Sequence, residues 1–174
     1  MLRKSILAIA ISTAGCVPMA APDVPVVTSN LVSSSGAVLG TVRLFSEPTG
    51  LTIRIDARGL PPGMHGVHVH SVGRCDAPDF KSAGSHWNPT TRQHGHQNPA
   101  GFHSGDLGNL GVGPEGRLVV GLLVPGARVA DGSDGDGPVL HDADGAALVI
   151  HARPDDEKTD PSGNSGDRIA CAIL

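Results

Sequence analysis

Apolar and polar residues alternate with a period of two along much of this chain. The cleanest run is Leu51-Thr-Ile-Arg-Ile-Asp-Ala57. A period of two places successive side chains on opposite faces of a strand. Ala37 to Phe45 carries a similar pattern, and the turn residues Glu47-Pro-Thr-Gly50 join the two runs into a predicted hairpin. Gly66-Val-His-Val-His70 reads as a short third strand. Further strands are predicted over 117–124, 146–151 and 169–173. There is no long helical period and no internal repeat. Short strands separated by turn residues predict an all-β sandwich or barrel.

The alternation fails from Ser71 to Asn109, a stretch of Gly, Pro, Asn, His and Asp. So long a run without structure of its own inside a compact domain points to a functional loop. Two shorter polar loops follow, Gly132 to Gly137 and Arg153 to Asp167.

Composition sharpens this picture. The chain has 174 residues, enough for one domain with a real core. Phe45, Phe80, Trp87 and Phe102 are its only aromatic residues, so the core must be built from Val, Leu, Ile and Ala. The 24 Gly and 14 Pro suit a loop-rich β protein. A formal charge of -4 points to no nucleic-acid partner.

The N-terminus stands apart from the fold. Arg3 and Lys4 precede an apolar run from Ile6 to Ala14 that is too short to span a bilayer. It reads as a secretory signal. Thr13-Ala-Gly-Cys16 resembles the lipobox of bacterial lipoproteins, which implies a lipid on Cys16; ordinary cleavage near Ala20 or Ala21 is the alternative. Both predict export, to the periplasm or cell envelope. The expected organisation is a leader over 1–16, a flexible tether over 17–29 and a folded domain over 30–174. With Cys16 set aside, Cys75 and Cys171 remain as an even pair that an oxidising compartment would join, two free thiols being the alternative. Closing so long a loop would stabilise by about 4–5 kcal/mol in the chain-entropy model.

Nine His is more than a surface of this size needs. His68 and His70 lie two apart on a predicted strand, on one face, where they can chelate one metal. Alone, such a pair is better explained as the polar face of an ordinary strand. The long loop adds His86, His94, His103 and Asp106. Three imidazoles and a carboxylate make a zinc set. His151 ends a strand that can lie beside the one bearing His68 and His70.

Five motifs, in order, now carry a resemblance: Gly66-Val-His-Val-His70, Gly84-Ser-His-Trp-Asn-Pro89, His94, His103-Ser-Gly-Asp-Leu-Gly-Asn109 and Gly163-Asn-Ser-Gly-Asp-Arg-Ile-Ala-Cys171. From about residue 30 onward the chain resembles the copper/zinc superoxide dismutase family. The resemblance implies an immunoglobulin-like Greek-key sandwich or barrel with long metal-binding loops. It implies one copper per subunit on His68, His70, His86 and His151, and one zinc on His86, His94, His103 and Asp106, with His86 as a bridging imidazolate. It implies a Cys75–Cys171 disulfide, Arg168 beside the copper to attract and orient superoxide, and His86 as carrier of a proton. Asp155 would link His68 with His94, fixing ring orientation from outside the ligand set. The implied reaction converts superoxide to dioxygen and hydrogen peroxide by copper redox cycling.

The stretch from His151 to Arg168 is shorter than in animal members, and the spacing of Cys75 resembles bacterial ones. A homodimer is compatible with the family, but its interface does not transfer. His65, His96 and His141 receive no ligand role; His96 reads as a surface histidine, an accessory zinc ligand being the alternative. Trp87 is expected to pack only. Two other readings compete: a non-enzymatic copper/zinc-binding lipoprotein on the same fold, and a metal-free structural sandwich. The complete ligand set and Arg168 favour the enzyme.

Overall fold

The structure, a computed structural model, describes residues 24–130 and 136–174. The leader with Cys16, the first part of the tether and most of the Gly132–Gly137 loop lie outside the described residues. Regular alternation became sheet wherever it occurred. The run over 51–57 lies in β3 (Gly50–Ala57), following β1 (Val27–Ser33) and β2 (Val38–Glu47). In β3, Leu51, Ile53, Ile55 and Ala57 are buried, while Arg54 and Asp56 are exposed. Its hairpin partner β2 pairs in register from Gly40↔Ala57 to Glu47↔Gly50, so Pro48 and Thr49 form the turn.

The remaining strands are β4 (Gly63–His70), β5 (Asp106–Val112), β6 (Leu118–Pro125), β7 (Ala147–His151) and β8 (Arg168–Ile173). All neighbouring pairs are antiparallel, in the order β5-β4-β7-β8-β1-β2-β3-β6. The two end strands, β5 and β6, approach each other, so the sheet forms a nearly closed barrel. The non-sequential neighbours β4–β7, β8–β1 and β3–β6 give it Greek-key character. One helical turn, Lys81–Ala83, is the only helix among the described residues.

Two strands escaped the sequence reading. β1 begins at Val27, so the last three residues of the expected tether are sheet. Its alternation is mostly polar, and Leu31 is its only buried residue. β5 was masked by its content: its buried positions are Asp106, Gly108, Leu110 and Val112, half of them not apolar.

Burial on both faces of β4 and β7 positions the site. Val67, Val69, Leu148 and Ile150 point into the main core. His68 and His70 take the other face of β4, and Ala147 and Val149 the other face of β7. That outer face is covered by the loop after β4. Phe80 and Ala83 of the loop pack on Ala147, Val149 and Cys171. Fully burying Phe80 contributes about 1.5–3 kcal/mol to holding the loop down. The Cys75–Cys171 disulfide ties the same loop to β8. Trp87 enters the main core, where it packs as expected.

Candidate metal centre

A carbonyl or carboxylate oxygen can only accept a hydrogen bond, so a ring nitrogen facing one must be the N–H donor. This fixes the tautomer of three buried histidines. His68 Nε2 donates to Asp155 Oδ2 at 2.7 Å. His70 Nδ1 donates to the Gly84 carbonyl at 2.9 Å. His151 Nδ1 donates to the Gly166 carbonyl at 3.0 Å. The other nitrogen of each, His68 Nδ1, His70 Nε2 and His151 Nε2, keeps its lone pair. These three atoms and His86 Nε2 are buried with no hydrogen-bond partner. Buried ring nitrogens without partners are costly. Four together, with ligand atoms of all four residues within 4.8 Å of one another, make a cation site of imidazole lone pairs. Imidazole suits copper.

The sheet and the loop build this set jointly. His68 and His70 share a face of β4 because they are two apart. His151 ends β7 beside them, its ring centroid 4.7 Å from that of His68. His86 arrives on the covering loop, which pairs locally with β4: a bridge joins His70 to His86, and the Trp87 amide donates to the Val69 carbonyl at 2.8 Å. Gly105 lets the end of the loop cross here, since a Cβ would collide with the Val69 carbonyl.

A second set shares His86. Its Nδ1 lies 2.8 Å from Asp106 Oδ1. His94 Nδ1 and His103 Nδ1 lie 3.1 and 3.2 Å from the same oxygen, and His103 Nδ1 is 3.4 Å from His86 Nδ1. A zinc tetrahedron with bonds of about 2.0–2.1 Å has edges of about 3.3 Å, which three of these separations approach, the His86–Asp106 one being shorter. His68 also lies near His86, His94 and Asp106. Its Nε2 is already held by Asp155 and its Nδ1 belongs to the first set, so His103 completes the second. The β4–β5 register sets Asp106 opposite His68. Asp106 Oδ2 accepts the Gly95 and His103 amides at 2.9 and 3.0 Å.

Asp155 spans the two sets, taking His94 Nε2 on Oδ1 at 3.0 Å and His68 on Oδ2. Gly163 lies over this bridge with φ +60, and any Cβ there would strike the Asp155 carboxylate. Burial alone would raise Asp155 and Asp106. Hydrogen bonds from His68, His94 and the Glu157 amide hold Asp155 well below the usual carboxylate range, and those from His86, His94 and the Gly95 amide do the same for Asp106. Burial would lower His94, but the Asp106 and Asp155 carboxylates raise it to about 10. Burial pushes His86 down to about 4 despite Asp106. Burial, with His68 close by, lowers His151 to about 3, and burial with His86 and Arg168 lowers His70 well below its ordinary value.

The first set opens on a cavity of about 400 Å³ lined by His70, His86, His151, Ser162, Gly166 and Arg168. Arg168 does not pair with the adjacent Asp167. Its Nη1 and Nη2 donate to the Phe80 and Gly84 carbonyls, both at 2.7 Å. Gly84 thus accepts from both Arg168 and His70, which fixes the guanidinium relative to the ligand set.

All predicted site residues within the described region come together; Cys16 lies outside it. Sequence reasoning missed His65, which is buried, its Nδ1 2.8 Å from the His151 carbonyl and its Nε2 2.8 Å from that of Pro61. Its place beside the His68–His70 pair was the only available signal. His96 is a surface residue as read, paired with Glu157 at 2.7 Å. His141 is exposed.

The family model for copper/zinc superoxide dismutase (SODC) matches residues 38–174. Superoxide dismutase [Cu-Zn] 1 of Aquifex aeolicus is 40% identical over 147 residues, covering 84% of this chain and 85% of that protein. The superoxide dismutase-like protein YojM of Bacillus subtilis is 40% identical over 181 residues, covering 95% and 91%. A crystal structure of a SOD-like protein from Bacillus subtilis superposes with a TM-score of 0.79 at 41% identity, covering 84% of this chain and 97% of that one. With the fold, the two ligand sets and these likenesses in agreement, the chain belongs to the copper/zinc superoxide dismutase family.

Proposed function

We propose that this chain is an active superoxide dismutase, with copper held by His68 Nδ1 and by Nε2 of His70, His86 and His151, and zinc held by Nδ1 of His86, His94 and His103 and by Asp106 Oδ1. The observation that carries the reading is the set of four buried, partnerless ring nitrogens beside a cavity walled by Arg168. Bound copper supplies one-electron redox chemistry, while zinc, which has none, supplies charge and a fixed anchor.

The chain's own groups supply the rest. Arg168 stays charged at any working pH and attracts superoxide into the cavity. Its two carbonyl anchors leave it little freedom, so the anion is oriented as well as attracted. His86 Nε2 faces the cavity side and can hold the proton that passes to the forming peroxide. Its Nδ1 lies among His94, His103 and Asp106, which keep the ring in place. The covering loop excludes bulk water from all but the cavity mouth.

Export is part of the proposal. It is supported by the basic and apolar leader and by the Cys75–Cys171 disulfide, which suits an oxidising compartment. A lipid on Cys16 would tether the domain to a membrane; mass spectrometry of protein from the native envelope tests this.

Superoxide dismutation by the copper- and zinc-loaded protein, beside His68→Ala, tests the function. Rapid copper-dependent activity that the variant loses is the expected result. Full occupancy by both metals without dismutation would overturn it and leave a metal-buffering protein.

A further inference from the structure

Three of the four zinc-side ligands have the partner of their second polar atom in plain view. His86 turns its other nitrogen to the copper-side set. His94 gives its other nitrogen to Asp155, and Asp106 takes two amides on its other oxygen. His103 is the exception: its Nε2 has no hydrogen bond, although its side chain is only 8% exposed. Histidines that bind metal through one nitrogen almost always donate the other N–H to a carboxylate, carbonyl or water, which fixes the ring and raises its basicity.

Asp160 is the one carboxylate within ion-pair reach of this nitrogen among the described residues, its Oδ1 3.9 Å from His103 Nε2. The same Oδ1 accepts the His94 amide at 2.7 Å. That bond pins a half-exposed side chain in front of the ring. The remaining gap is one bridging water, or a small closure of the loop, from a hydrogen bond. Asp160 thus bonds the His94 backbone and faces the His103 ring 3.9 Å away, and it comes from the loop that already supplies Asp155.

We propose that Asp160 is a positioning residue for the zinc-side ligands, accepting the Nε2–H of His103 and so presenting its Nδ1. The proposal rests on the zinc assignment above. The loop between β7 and β8 would then orient the zinc set with two carboxylates, Asp155 for His94 and Asp160 for His103.

Zinc affinity by chelator competition on the full mature chain, together with nitrogen–proton NMR of the His103 ring in the zinc-loaded protein, tests this. Asp160→Ala is expected to weaken zinc about 10–100-fold. Asp160→Asn keeps an acceptor for the His94 amide but loses the charge, and should fall between Ala and the parent. In both variants the His103 Nε2–H signal should shift and exchange faster, while copper affinity holds. Half-exposed Asp160 contributes little to the core, so both variants should fold. Zinc affinity within twofold of the parent in both variants, or an unmoved His103 signal, overturns the proposal. If His103→Ala itself leaves zinc binding intact, the zinc assignment falls as well, which separates that failure from this one.

Discussion

His70 and His151 on the copper side and His94 on the zinc side flank one shared ring, yet their surroundings give them opposite proton affinities. On the copper side, His70 and His151 donate to neutral backbone carbonyls, and burial holds both well below the ordinary imidazole value. On the zinc side, His94 lies between two carboxylates that raise it to about 10. A buried imidazole facing neutral acceptors stays neutral, with its lone pair free for a metal. His94, facing two carboxylates, collects a proton that a metal must displace. His70 and His151 can therefore take a metal without giving up a proton, whereas His94 cannot.

His86, the one ligand common to both, offers the sharpest way to break this division. His86→Ala should weaken both metals and abolish dismutation, a loss of more than about 100-fold, since residues merely outside a ligand set already cost 10–100-fold. His70→Ala should lose copper and activity yet keep zinc. Metal analysis of the two variants after identical loading checks the contrast. Loss of zinc from His70→Ala would show that the two sets are not separable.

Asp155 comes next, because it holds a ring on each side. Asp155→Ala should weaken both metals by about 10–100-fold without removing a ligand. A loss confined to one metal would mean that the Asp155 bridge serves only that side. Arg168 should give the complementary result, a functional change with both metals retained. Arg168→Ala is expected to lower kcat/KM by at least about tenfold and to flatten its salt dependence. Arg168→Lys should recover part of the rate, since one ammonium supplies charge but cannot reproduce the fixed fork on Phe80 and Gly84. Stopped-flow measurement across ionic strength reads both effects.

The two sides also differed in how much the sequence revealed. His68 and His70 sit on a strand whose period put them on one face, so spacing placed half of the copper set together, although other signals were needed to read the pair as ligands. His94, His103 and Asp106 lie on or at the end of a loop, where no period relates one residue to the next; residue type alone offered them as a zinc set, and family resemblance gave each its place. The same reasoning explains the strands. β3 was legible because its buried positions are Leu, Ile and Ala, whereas β5 hid because Asp106 and Gly108 take buried positions for the site's sake. Asp160 had no local signature at all, because its role depends on two loops meeting.

The smallest expected effect tests the proton comparison directly. Offered alone to the metal-free chain at pH 7, zinc should release a proton from His94, whereas copper should release none from His70, His86 or His151, which are already neutral. Calorimetry in buffers of different ionisation enthalpy counts these protons. Stability of the metal-free chain should follow the same logic. His94 is raised from 6.5 to about 10, so its contribution is complete below pH 6.5 and fades as pH rises toward 10. His86 and His151 are lowered from 6.5 to about 4 and about 3, so the unfolded chain takes up protons first and stability falls as pH drops below 6.5. Asp106 and Asp155, both lowered from 3.8, steepen that fall only once pH drops past their unfolded value. Melting temperature should therefore peak near pH 6.5 and fall more steeply toward acid, where several groups act together, than toward base, where His94 acts alone. A peak displaced to pH 9 or above would mean that His94 does not hold its proton between the two carboxylates, and the contrast between the two metal sides would lose its physical basis.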